Sequence, residues 1–88
     1  MIEFKLCYVN KDEYYRFQFP IITLQDEYKD LLKKIISKCQ VKNNFKLEYL
    51  DVENDKVIIR SLDDLETMFR LRLLGQPIRL FITELTPL

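Results

Sequence analysis

The sequence predicts an α+β fold, a mixed β-sheet packed on a helix. Three observations predict it. Five short segments alternate apolar and polar residues with period two. Two longer segments carry apolar residues at helical spacing, and each opens on a hydroxyl residue with an aspartate three positions later. The order strand, strand, helix, strand, strand, helix, strand runs without a linker, repeat or low-complexity stretch, and Gly75 is the single glycine. At 88 residues the chain is one domain, 1–88, with a core from about Ile2 to Glu84.

In the first strand Ile2, Phe4, Leu6 and Tyr8 alternate with Glu3, Lys5, Cys7 and Val9. Asn10 to Glu13 is a polar turn. Tyr15, Phe17 and Phe19 then alternate with Tyr14, Arg16 and Gln18, and Pro20 ends this second strand. A turn over Asn10–Glu13 makes Val9 face Tyr14 and sets Leu6 opposite Phe17. That register places Lys5 and Arg16 on the other face as diagonal neighbours.

Thr23 and Asp26 form a capping box for the first helix. Leu24, Tyr28, Leu31, Leu32, Ile35, Ile36 and Cys39 share its apolar face, with Lys29, Lys33, Lys34 and Lys38 toward the opposite side. Phe45, Leu47 and Tyr49 define a third strand, and Val57 and Ile59 a fourth whose alternation Ile58 blurs. Ser61 and Asp64 cap a second helix, with Leu65, Met68, Phe69 and Leu73 turned inward and Gly75 suited to its C-terminal cap. Ile78, Leu80 and Ile82 mark the last strand. Strand order is not written in periodicity. By fold analogy the element order resembles the ubiquitin-like β-grasp, in which the first and last strands lie parallel at the centre.

Composition narrows the function. Lysine and arginine total 14 and so do aspartate and glutamate, so the net charge is zero. A general nucleic-acid or membrane binder carries a basic excess, so neither partner is expected. No run approaches the roughly 18 apolar residues of a span, and cytoplasmic residence is the expectation. Cys7 and Cys39 are the only cysteines and there is no histidine, which predicts buried free thiols and no zinc site. The zero net charge hides a segregation. From Glu48 to Glu66 the acids are Glu48, Asp51, Glu53, Asp55, Asp63, Asp64 and Glu66, against Lys56 and Arg60 alone, whereas bases outnumber acids before that stretch. A neutral domain with one acidic and one basic region attracts copies or relatives of itself.

Asp51, Glu53 and Asp55 alternate within one short segment, and Asp63 and Asp64 open the next helix. Carboxylates this close repel one another unless a cation binds or water solvates them, although a helix N-terminus favours Asp63 and Asp64. The spacing mimics the start of a calcium loop. Lys56 stands where that loop needs glycine, and Leu62 where it needs glutamate. An acid–base hydrolase needs carboxylates facing each other across a cleft, not in succession on one loop. Without histidine, nucleophile elbow or phosphate loop, neither an enzyme nor a cofactor is expected. A cation on a partner protein remains, beside the plainer alternative of a merely solvated acidic turn.

Tyr49, Asp51, Glu53, Asp55, Val57, Ser61, Asp64 and Leu65 together resemble the acidic OPCA motif of the Phox-and-Bem domain family, with Asn54 in place of the usual glycine. Asparagine tolerates the positive φ that the turn demands. The family's basic counterpart is a lysine on the first strand with bases on the second strand and often the first helix. Lys5 and Arg16 match the strand positions, and Lys33 and Lys34 are chosen by helical face alone. Tyr15 stands where some members carry a base. The resemblance, of the type carrying both surfaces, implies a protein–protein interaction module without enzymatic activity. Its implied partner is another domain of the family, self or heterologous, paired front to back in signalling or scaffold assembly, with a homo-oligomer or head-to-tail polymer as the product. Two other classes share the fold. A ubiquitin-like modifier ends in Gly-Gly, whereas this sequence ends Leu85-Thr86-Pro87-Leu88. A β-grasp module for a small GTPase uses a basic edge strand and needs no acidic segment.

Overall fold

The computed structural model describes residues 1–20, 24–42 and 44–85. Its strands are β1 (Ile2–Tyr8), β2 (Glu13–Phe19), β3 (Phe45–Leu50), β4 (Lys56–Ile58) and β5 (Ile78–Glu84), and its helices α1 (Leu24–Cys39) and α2 (Leu62–Leu71). The sheet order is β2-β1-β5-β3-β4. β5 lies at the centre, parallel to β1 and antiparallel to β3. This mixed sheet with both helices is a ubiquitin-like β-grasp, in the predicted element order.

Period-two alternation gives the sheet a covered and an open face. Phe4, Leu6, Tyr8, Phe17, Phe19, Leu47, Tyr49, Ile78, Leu80 and Ile82 are buried on the covered face. Leu31, Ile35 and Cys39 of α1 and Leu65, Met68 and Phe69 of α2 close over them in one cluster. Phe4 stacks on Phe17 at 5.2 Å between centroids, and Phe69 meets Phe4 edge-on at 6.3 Å. Each such aliphatic or aromatic side chain stabilises the fold by about 1.5–3 kcal/mol through burial. Both cysteines are free and buried, as expected. Ile36, placed by periodicity on the inward face, is 39% exposed at its margin.

The hairpin register differs from the expected one. Leu6 pairs with Tyr15, Phe4 with Phe17 and Lys5 with Arg16, rather than Leu6 with Phe17 and Val9 with Tyr14. The connection is four residues long as expected, but it is Val9–Asp12, one position earlier. Val9–Lys11 form a 3₁₀ turn, and Asp12 at φ 51° closes it with an N–H bond to the Val9 carbonyl. Asn10 fastens the turn to β5: its Nδ2 donates to the Glu84 carbonyl at 3.2 Å, and Glu84 N–H donates to Asn10 Oδ1 at 2.7 Å. The Tyr8 hydroxyl donates to the Glu84 carboxylate beside it. The register moves by two residues, so every side chain keeps its face.

Two expectations at α2 also change. The helix stops at Leu71 because Arg72 turns to extended backbone, ψ 149°. Leu73 therefore lies beyond the helix and is 54% exposed rather than inward. Gly75 is not the cap. It takes φ 81° in a later turn, where Gln76 N–H reaches the Leu73 carbonyl. The N-terminus is as read: Asp64 N–H donates to Ser61 Oγ at 3.4 Å, while Asp64 Oδ2 accepts from Arg60 N–H at 2.9 Å. The Thr23–Asp26 box and the side chain of Leu24 fall outside the described residues.

Candidate functional site: an acidic turn and a basic sheet face

The acidic turn is built by one of its own carboxylates. Asp51, the residue after β3, accepts at Oδ1 from the N–H groups of Glu53 and Asp55, each at 2.9 Å. Its own N–H donates to the Asp55 carbonyl, and its carbonyl accepts from Asn54 N–H, both at 3.0 Å. Asn54 takes φ 64°, the left-handed region where asparagine is tolerated. Glu53 and Asp55 are thereby held outward and exposed. Asp63 is exposed on the first turn of α2, while Asp64 is half-buried in its cap. Tyr49 links the two acidic groups from below. Burial, then the Asp51 and Asp64 carboxylates, raise its hydroxyl pKa. The five acids thus divide: Asp51 and Asp64 organise backbone, and Glu53, Asp55 and Asp63 face solvent.

The basic residues sit across the sheet. Lys5 and Arg16 face each other directly on the open face. The Lys5 ammonium lies 5.5 Å from the centroid of the Tyr14 ring. The Tyr14 hydroxyl is held above its ordinary pKa, chiefly by its hydrogen bond with the Cys7 thiol. Arg16 Nη1 pairs with Glu3 at 2.9 Å, with both side chains well exposed. The parallel register adds a residue that sequence reading missed, Arg79 of β5, directly beside Lys5. Arg16, Lys5 and Arg79 therefore form a row across three strands. Alternation with the buried Ile78 and Leu80 puts Arg79 on the open face, and strand order puts it in the row. Lys33 and Lys34 are exposed on α1, which packs on the covered face, so they lie across the sheet from this row. Tyr15 also turns toward the covered face, its hydroxyl donating to Glu13 at 3.2 Å.

Among the described residues the ion pairs are Arg16–Glu3 at 2.9 Å and Lys46–Glu48 at 3.6 Å. Lys5, Arg79, Glu53, Asp55 and Asp63 join none. No group of three or more potential metal ligands occurs among the described residues, and no helix there is long and apolar enough to cross a membrane. The bases lie on β2-β1-β5 and the acids on the β3–β4 connection and the start of α2, and Arg79 at the end of the row lines one cleft with Asp51 and Glu53.

Compared with known families, residues 1–85 match the PB1 domain. The chain belongs to the PB1 domain family. The PB1 domain is a protein–protein interaction module, and the family is not one of enzymes. PB1 domains typically bind other PB1 domains. A search of curated proteins found no match.

Proposed function

We propose that this PB1 domain pairs front to back with another PB1 domain, a second copy or a relative, the acidic turn of one meeting the basic row of the next. The observation that carries this reading is that, among the described residues, Lys5 and Arg79 on the open face and Glu53, Asp55 and Asp63 about the acidic turn join no ion pair. Like charges directly opposite across strands work against the fold, so the Arg16–Lys5–Arg79 row gains most from an incoming carboxylate. One exposed ion pair contributes only about 0–1 kcal/mol. Several close, partly desolvated pairs couple by roughly 1.5–7 kcal/mol, enough to hold a complex. The contact is heterologous, so identical copies propagate into a chain unless a ring closes. Such a module serves cytoplasmic signalling or scaffold assembly.

The test is complementation. Lys5→Ala silences the basic row, and the double variant Glu53→Ala/Asp55→Ala silences the acidic turn without touching the Asp51 carboxylate. Light scattering at low salt should show self-association of the parent, neither variant extending into chains, and a dimer when the two are mixed. A strict monomer in all samples at high concentration sinks self-pairing. A small-GTPase module, by contrast, would keep its partner after the acidic substitutions.

A further inference from the structure

We infer that Arg79 serves both charged surfaces with opposite sign, strengthening the basic row and restraining the acidic turn, an inference that rests on the front-to-back reading above. Arg79 stands directly beside Lys5 in the parallel register of β1 and β5. On its other side β5 runs antiparallel to β3, with Leu80 opposite Tyr49. Arg79 comes one residue before Leu80, and Asp51 two residues after Tyr49, so β3 leaves the sheet for the acidic turn along the flank of Arg79. Asp51, Glu53, Arg72 and Arg79 accordingly line one cleft of about 380 Å³. Arg79 is exposed and joins no ion pair among the described residues.

Both roles follow from one fixed charge. An acidic partner arriving on Arg16 and Lys5 finds Arg79 as a third cation. A basic partner arriving at the acidic turn meets the same guanidinium as a like charge, and like charges brought together at an interface work against binding. The neighbouring cations do not share this position. Arg72 lines the cleft but follows α2 instead of lying on the sheet, and its Nη1 donates to the Phe69 carbonyl at 2.5 Å. Lys56 adjoins Asp55 in the chain, yet its ammonium lies over the Phe81 ring, 4.5 Å from the centroid. Among the described cations, Arg79 alone belongs to both the row and the cleft. The acidic turn therefore binds a cationic surface less tightly than its own carboxylates would allow.

The experiment uses two one-sided chains. The donor is Glu53→Ala/Asp55→Ala, which keeps the basic row. The acceptor is Lys5→Ala/Arg16→Ala, which keeps the acidic turn and the cleft. Their affinity is measured by titration calorimetry at two salt concentrations, and melting by circular dichroism confirms that each chain is folded. Adding Arg79→Gln to the donor should weaken binding roughly tenfold. Adding the same substitution to the acceptor should instead strengthen binding about threefold, the scale of one exposed charge interaction. That gain should shrink at high salt, where charges are screened. Arg79→Lys in the acceptor keeps the charge and should give no such gain. An acceptor that Arg79→Gln leaves unchanged or weakens, a gain that persists at high salt or appears equally with Arg79→Lys, or a donor that loses nothing overturns the inference and leaves the pairing intact. A starting pair that does not bind overturns both.

Discussion

Lys5 of β1 stands directly beside Arg79 of β5, in the parallel register that joins the first strand to the last. The two residues are 74 positions apart in the chain. Arg16 completes the row on the other flank of Lys5, and of the three only Arg16 has a carboxylate partner among the described residues. A sheet optimised for stability alone would place an acid between two bases.

Arg79→Ala should therefore act in opposite directions on folding and on binding. Stability should be unchanged or rise by up to about 1 kcal/mol, the scale of cross-strand pair effects. Affinity for an acidic PB1 surface should fall about tenfold, since close interfacial charges are worth 1.5 kcal/mol or more. Thermal melts and calorimetric titration with the Lys5→Ala/Arg16→Ala chain separate the two.

Asp51 has a structural and an electrostatic part, and two substitutions divide them. Asp51→Asn keeps an oxygen acceptor for the Glu53 and Asp55 N–H groups, so the turn should persist while affinity for the basic row drops. Asp51→Ala removes both bonds and should in addition cost about 1–2 kcal/mol, the net worth of two modest hydrogen bonds. Amide exchange at Glu53 and Asp55 reads the turn directly. Equal protection in both variants would contradict the role given to Oδ1.

Asn54 should accept glycine and reject β-branched residues. Asn54→Gly should be close to neutral, whereas Asn54→Val should lose about 1–2 kcal/mol from forcing a left-handed backbone. Chemical denaturation of the two variants is the measurement.

Alkaline pH should destabilise the fold in two overlapping steps. Burial, with help from Glu13 and Cys7, pushes the Cys39 thiol up to about 11 from 9.0. The hydrogen bond to Glu84, then desolvation, pushes the Tyr8 hydroxyl up to about 12 from 10.0. A pKa raised on folding contributes stability that is full below the unfolded value and lost as pH passes the folded one. The Cys39 contribution is thus complete below pH 9 and lost by about 11, and that of Tyr8 is lost between 10 and about 12. Tyr8→Phe should flatten the upper step in a series of melting temperatures against pH.

Element order, the two apolar faces and the acidic turn were legible in the sequence because each rests on local periodicity or a short motif. Ser61 and Asp64 announced α2, and Asn54 announced a positive-φ turn. The hairpin register was less legible, because period two specifies a face without specifying a partner; Phe4 and Leu6 suit Phe17 equally well. The end of α2 was misplaced for a similar reason. Leu73 continues the helical spacing, and nothing in the sequence states that Arg72 leaves the helix. Arg79 was invisible as a neighbour of Lys5 because adjacency between strands so distant in sequence is a property of topology. The division of labour among the five acids required hydrogen-bond geometry that side-chain type does not encode.

The Val9–Asp12 turn acts as a vernier on the charged face. The core fixes only whether the β1–β2 offset is odd or even, and both the observed pairing and one shifted by two residues, with its four-residue turn one position later, satisfy it. In the shifted pairing Lys5 would stand opposite Gln18 and Arg16 opposite Cys7. The left-handed Asp12 and the Asn10 clasp on Glu84 choose between these settings. Drift in this short connection could thus retune which cations meet while leaving the hydrophobic layer in place, so that recognition evolves on a separate dial from folding.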